Sequence, residues 1–384
     1  MYYKNLDEEK VVSVYFKYYR QNLYFEKAIR YDEIYFSSNE ELNDPLDLAF
    51  TPYFDDNEVA WEKLLQVKPK VEMLNIALYL DTTSYELASE LNSIFKGSTL
   101  AYQQTIKPLI DSKNKELKRI FIKHINNAIE SEYTLDKNSN FSNFDTEAKA
   151  EMCISFLTEI LSRGWSKKFY SCSFSKNALE PKMWAHYADG FKGCVIIYES
   201  NENNSIKLKP HFRSTKYESY NFLEVQYSDI EKKVSILDYM LKSSIVNSPL
   251  LTKNSFWSYE EEYRLLLSEE FNYFYLTQMD NMPITSSRER IFYHQEESII
   301  GVIFGARCSK DYKDKVRVIL GEKCSYKQKG FYSFDTELTT DGKVVIKSGS
   351  ICRSMKEASS QVYDEILEGD RLNKCLIQLR ISFD

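Results

Sequence analysis

The sequence predicts an α+β protein: a mixed β-sheet core interrupted by a helical insertion and followed by a C-terminal helical extension. Three observations predict it. Short runs of β-branched and aromatic residues lie on both sides of a long stretch that lacks chain breakers. Glycine is unevenly spread, with only Gly97 in residues 1–163 and the other ten between Gly164 and Gly369. Proline is absent between Pro108 and Pro181, where apolar residues recur at helical spacing.

Taken in order, Val11 to Tyr19 and Glu33 to Ser37 read as strands, so residues 1–57 form the first part of the core. Residues 58–165 read as the helical insertion. Leu117, Ile120, Phe121, Ala128 and Ile129 share one face there, and Met152, Cys153, Phe156, Leu157 and Ile160 share another before Gly164 stops the helix. Residues 166–350 read as the remainder of the core. Its strands are expected at Lys168 to Ser175, Gly193 to Tyr198, Asn221 to Tyr227, Tyr263 to Leu267, Ile299 to Phe304 and Lys343 to Lys347, with a short helix from Pro181 and longer ones over 230–246 and 310–319. The order is not a regular alternation, which argues against a doubly wound sheet. Residues 351–384 read as helical, because Val362, Ile366, Leu367, Leu372, Leu376 and Leu379 form an amphipathic stripe from Met355 onward.

Composition removes several classes. The 384 residues are 43% hydrophobic and include 29 Tyr, 23 Phe and 4 Trp, so they have ample material for a core and do not read as disordered. Lys and Arg number 50 against 57 Asp and Glu, a formal net charge of −7 that argues against a general nucleic-acid binder while leaving room for a local basic patch. Seven scattered cysteines include no pair two residues apart, so neither a disulfide framework nor a structural zinc site is expected, and no metal ligand is assigned. No apolar run approaches a membrane span, and Met1 to Lys10 lacks the layout of a signal peptide; the expected location is the cytoplasm, with no membrane partner.

Four clusters carry candidate chemistry. Arg20 ends the first strand run, where its planar guanidinium can fork onto a phosphate or a carboxylate, or simply form a surface ion pair. Asn43-Asp44-Pro45-Leu46-Asp47 is a turn held by its Asx side chains, and Asp44 and Asp47 can also meet a cation or a ribose hydroxyl. Ser171, Cys172 and Ser173 precede a Pro181 helix that would bring His186 and Tyr187 beside the serines, while the Gly-x-Ser-x-Gly elbow of a serine hydrolase is missing. Trp257 to Leu265 places Glu260, Glu262 and Arg264 on one face of a strand. Proximity raises the pKa of one carboxyl of such a pair while a cation steadies the other; a charged strand edge is the alternative.

The stretches Asn43 to Asp47, Ser173 to Ser175, Met183 to Gly190 and Trp257 to Leu265 together resemble the bacterial domain of unknown function 2971 family. The resemblance covers about residues 10–310 apart from the insertion, implies no defined activity, and places the chain among proteins considered in anti-phage defence. A weaker similarity is to the arginine-serine-glutamate ADP-ribosyltransferases, through Arg20, then Ser171 and Ser173, then Glu260 and Glu262. It implies NAD as substrate, Arg20 on the diphosphate, serines around the nicotinamide, Glu262 beside the developing ribose cation and Glu260 assisting the acceptor. Trp184 and Tyr187 would stack on a ring. Cys172 stands where that family usually has Thr, and the long separation of Arg20 from Ser171 also departs from its pattern.

Three functions follow. The first is an NAD-using ADP-ribosyltransferase-like or NAD-cleaving effector or toxin, with catalytic Glu262, Glu260, Arg20 and His186 and with Ser171, Ser173, Trp184, Tyr187, Asn43, Asp44, Asp47 and Arg264 binding substrate; its acceptor would be an unknown protein or nucleic acid. The second is a nuclease using Mg²⁺ or Mn²⁺ on Asp44, Asp47, Glu260, Glu262 and His186. The third is a non-catalytic sensor or scaffold that meets a protein partner through the insertion or the C-terminal helices, where Lys113, Lys115, Lys118, Arg119 and Lys123 form a basic helix surface.

Overall fold

A computed structural model describes residues 12–65, 84–101, 104–130, 144–165, 168–241, 247–268, 286–326, 330–355 and 358–381. Its centre is a nine-stranded mixed sheet. In chain order the strands are β1 (Val14–Tyr19), β2 (Phe169–Ser175), β3 (Cys194–Glu199), β4 (Leu223–Glu224), β5 (Glu262–Ser268), β6 (Ile299–Phe304), β7 (Phe331–Leu338), β8 (Val344–Met355) and β9 (Ala358–Leu367). Their spatial order is β9-β8-β7-β6-β3-β1-β2-β5-β4, with only β6 and β7 parallel. β3 and β6 lie inside the sheet and read Cys-Val-Ile-Ile-Tyr-Glu and Ile-Ile-Gly-Val-Ile-Phe, apolar throughout because both faces are covered.

One face packs an aromatic core around Tyr15, Phe25, Phe36, Phe174, Tyr198 and Phe304. Above that core a four-stranded sheet runs in the order Glu33–Tyr35, Ile291–His294, Ser205–Lys209, Glu218–Asn221. The opposite face packs Phe16, Trp184, Val195, Ile197 and Phe334.

The insertion is helical over Glu58–Leu65, Ser84–Phe95, Lys107–Glu130 and Thr146–Trp165. Leu117, Phe121, Cys153 and Leu157 enter its core, together with Ile236 and Leu237 from far along the chain. Two of the five cations of the basic surface are neutralised from within: Lys118 bonds Glu147 and Glu151, and Lys123 bonds Glu86 and Glu90. The calls on Ala128 and Ile129 concern side chains outside the described set.

Two expectations are corrected. The C-terminal region is not wholly helical: β9 pairs antiparallel with β8 along its length, and only Gly369–Gln378 forms a helix. Val362 and Ile366 lie four apart, which suits one face of a helix and one face of a strand alike; pairing with a partner strand decides between them. The helix expected over 230–246 is observed at Ile236–Leu241, preceded by a strand Lys233–Ser235 that pairs parallel with Thr51–Tyr53; residues 242–246 lie outside the described residues. Among the described residues no helix is long and apolar enough to cross a membrane.

Candidate active site

The alternation of β2 sends Tyr170, Cys172 and Phe174 into the aromatic core and leaves Ser171, Ser173 and Ser175 on the other face. β5 runs antiparallel beside it, with Glu262 opposite Ser175 and Arg264 opposite Ser173. On its other side β2 meets β1 at Phe16 and Ser175, and the Lys17 ammonium donates to the Ser173 carbonyl at 2.9 Å. A cleft of about 260 Å³ opens there, walled by the turn 42–47 and by the helix Pro181–Tyr187.

Beneath the cleft lies a buried ionic network. The guanidinium of Arg264, 0% exposed, grips Glu262 through Nε at 2.7 Å and Nη2 at 2.8 Å, and Asp47 through Nη2 at 2.7 Å. Its Nη1 donates to the Leu250 carbonyl at 2.8 Å. The Lys253 ammonium reaches Glu260 at 2.5 Å, Glu262 at 3.1 Å and Asp47 at 3.5 Å. Tyr187 donates its hydroxyl to Glu260 at 2.5 Å. Three carboxyl groups therefore share two cations.

The two glutamates respond oppositely. Burial works to raise the pKa of Glu262, but Arg264 and Lys253 outweigh it and hold that carboxyl well below its ordinary value. Burial also dominates at Glu260 and wins there: despite the pull of Lys253, its pKa is raised, helped by the negative charge of Glu262. For Lys253 burial favours the neutral amine, and Glu262, Glu260 and Asp47 overcome it to keep the ammonium charged.

Backbone geometry brings the pair together. Glu260 ends a 3₁₀ helix (Ser255–Glu260) and Glu262 begins β5, and between them Glu261 takes a left-handed conformation at φ 43°. Ser175 Oγ pins the corner by donating to the Glu260 carbonyl at 2.7 Å. The turn is fixed likewise: Asp44 Oδ1 accepts from the Leu46 amide at 2.9 Å, and Asp47 Oδ1 from the Leu48 amide at 2.8 Å.

Of the residues singled out from sequence, Arg20, Asn43, Asp44, Asp47, Ser171, Ser173, Tyr187, Glu260 and Glu262 line this one cleft. Three do not. Arg264 lies below it and orders the carboxylates, so it does not meet a substrate directly. Trp184 is fully buried on the sheet, its Nε1 donating to the Ala178 carbonyl at 2.9 Å. His186 is exposed and outside the lining: its ring lies against those of Tyr187 and Tyr259, with centroids 6.3 and 6.4 Å away, and its carbonyl is 3.5 Å from Arg20 Nη2. The helical repeat explains the split, because Met183 and Tyr187, four residues apart, share the cleft side while Trp184 and His186 point elsewhere. Trp257, which opens the fourth sequence cluster, lines the cleft too, as do Lys17 and Lys253, which were missed by sequence reasoning. Lys253 lies between Thr252 and Asn254 with no pattern around it that could have signalled its role.

The metal-ligating arrangement expected for a nuclease takes a different form. Asp47, Glu260 and Glu262 do converge, but on the Lys253 ammonium, and among the described residues no group of three or more His, Cys, Asp and Glu could hold a metal ion.

No curated protein and no solved structure matches the chain. Residues 183–265, which run from the Met-Trp-Ala-His-Tyr helix to the Glu-Tyr-Arg-Leu start of β5, match the model of a family described as protein of unknown function (DUF2971), and over that stretch the chain resembles this family.

Proposed function

We propose that the chain is an NAD-using enzyme that breaks the bond between nicotinamide and ribose, passing ADP-ribose to an acceptor or to water. The observation that carries this reading is that Arg20, Ser173, Glu260 and Glu262, distant in sequence, line a single cleft. Its volume of about 260 Å³ lies below the roughly 300–1,000 Å³ of sites that enclose a whole ligand, which suits the reacting end of a larger molecule with the remainder outside beside Arg20.

The chemistry asks little more of the protein. As the C–N bond breaks, its electron pair stays on the ring nitrogen, nicotinamide leaves neutral and the ribose becomes cationic. With all three carboxyls ionised, the network of Asp47, Glu260, Glu262, Lys253 and Arg264 holds one more negative charge than positive, in a buried setting where that charge acts strongly on a developing cation. Glu260, with its raised pKa, is the base that takes the acceptor's proton as the new bond forms. Ser171 Oγ is buried on the cleft wall with no hydrogen-bond partner among the described residues, a gap that a ligand amide would fill. The metal-dependent alternative is less favoured by this geometry, since Lys253 stands at the point where its carboxylates converge.

The test is to incubate the protein with NAD labelled in the nicotinamide, with and without cell extract. Release of nicotinamide, unaffected by a chelator and reduced about 100-fold or more in Glu262→Gln, is the expected result. No release under any of these conditions would reject the reading.

A further inference from the structure

A second cleft, about 390 Å³, opens on the four-stranded sheet, lined by the rings of Tyr31, Phe212, Tyr217 and Tyr293, by Lys209, and by the acids Asp32, Glu33 and Glu296, so the cations that could meet an anion lie on the hairpin at its rim. Over it stands the hairpin that joins Ser205–Lys209 to Glu218–Asn221. Residues 205–218 carry Lys207, Lys209, Arg213 and Lys216 against the one acid Glu218, a local basic excess on a chain of net charge −7. At the tip Phe212 is 56% exposed. The His211 ring stacks on it with centroids 4.8 Å apart, and the Arg213 guanidinium lies 5.2 Å from its centroid.

This tip is held in place. Lys209 Nζ donates to the Phe212 carbonyl at 2.9 Å, while the Arg213 amide donates to His211 Nδ1 at 3.1 Å and the Ser214 amide to the His211 carbonyl at 2.9 Å. An exposed ring fixed by its own neighbours gives a flat stacking surface with little ordering left to do on binding. Tyr293, whose centroid lies 6.4 Å from that of Phe212, extends the ring surface into the cleft, and Lys209 lies over Tyr217.

We propose that this cleft and hairpin bind single-stranded nucleic acid, with bases stacking on Phe212 and Tyr293 and phosphates meeting Lys207, Arg213 and Lys216. Rings interleaved with cations are the chemistry that holds such strands without reading their sequence. A cationic peptide is the competing occupant, since Asp32, Glu33 and Glu296 also line the cleft; the exposed Lys207, Arg213 and Lys216 of the hairpin favour a phosphate backbone over it. The position also deepens the function proposed above, on which the role of acceptor rests. Glu33 of this cleft and Ser37 of the first are four residues apart, so their Cα atoms lie within about 14 Å. The first cleft lies on the serine face of β2 and the second on the sheet above the aromatic core, so a strand held here would have to round the segment 33–37 to reach the carboxylates.

The experiment needs no NAD. Fluorescence anisotropy with a labelled oligothymidylate or oligouridylate of about a dozen nucleotides should show binding that weakens steeply as salt rises. Phe212→Ala should lose roughly tenfold or more in affinity, and Phe212→Trp should keep it and show quenched indole fluorescence. Arg213→Glu with Lys216→Glu should weaken binding and flatten the salt dependence. Absence of binding at low salt, an unchanged Phe212→Ala variant, or preference for a lysine-rich peptide would overturn the proposal. Binding without nicotinamide release would uphold it while removing the acceptor role.

Discussion

Lys253 shows most clearly why the site has the form it has. Burying an ion pair is a poor way to stabilise a fold, because desolvation consumes most of the Coulombic gain, yet removing one partner leaves an uncompensated charge. Lys253→Met is therefore expected to lower the unfolding free energy by about 3–5 kcal/mol near neutral pH, with a smaller loss in acid, where protonated carboxyls need no ammonium. Urea denaturation at two pH values checks this. Glu262, with its depressed folded pKa, contributes stability above its unfolded value of about 4.3 and loses it as pH falls through the folded pKa. Glu260 has the opposite sign: its raised folded pKa favours the folded state at low pH, and that contribution disappears as pH rises through it. Glu260→Gln should flatten stability over that window. Tyr187 donates to Glu260 and so restrains its pKa; Tyr187→Phe should move the acidic limb of the NAD-cleavage pH profile upward, as initial rates across a pH series would show.

At the scale of elements, close backbone contacts position the rim. A Cβ on Gly193 would lie 2.1 Å from the Tyr19 carbonyl and 2.9 Å from the Ala188 Cα, so the end of β1, the end of the Pro181 helix and the start of β3 meet where nothing larger than a hydrogen fits. Gly193→Ala should destabilise by about 1–3 kcal/mol and displace Arg20; a thermal melt and the KM for NAD report the two effects separately. The elements that sequence reveals best are those whose local pattern and tertiary role agree. Ile299–Phe304 is one, a central strand that is apolar from end to end, and the helix opening at Pro181 is another. Where a second strand settles the matter, as for Ala358–Leu367, periodicity misleads, since Val362 and Ile366 suit both conformations. The candidate site divides the same way. Its acids and serines announce themselves through spacing, whereas Lys253 is recruited by three-dimensional charge balance that no local pattern encodes. Trp184 and His186 sit beside Tyr187 in sequence but on other sides of their short helix, so adjacency overstated their role.

At the scale of the whole molecule, the helical layer is joined to the sheet layer more closely than a contiguous insertion implies. Its core takes Phe54 from one side of residues 58–165 and Ile236 and Leu237 from the other, all of them 0% exposed. Backbone bonds cross the same boundary: Phe54 donates to the Ser98 carbonyl, Gly97 to that of Phe54, and Leu100 to that of Pro52. Parallel pairing of Thr51–Tyr53 with Lys233–Ser235 then carries the connection toward Lys253 and the carboxylates. Excising residues 58–165 would uncover those three side chains, each contributing roughly 1.5–3 kcal/mol by its burial, a combined loss of the order of an entire domain's stability of about 5–15 kcal/mol. The excised chain is therefore expected to aggregate or to lack a cooperative melt, and to release no nicotinamide, even though every residue lining the cleft is retained. Gel filtration and circular dichroism of the deletion check this. A soluble monomer with a sharp melt would show that the sheet and its cleft stand alone, and a role for the helices in meeting a partner would then have to be sought in their exposed surface.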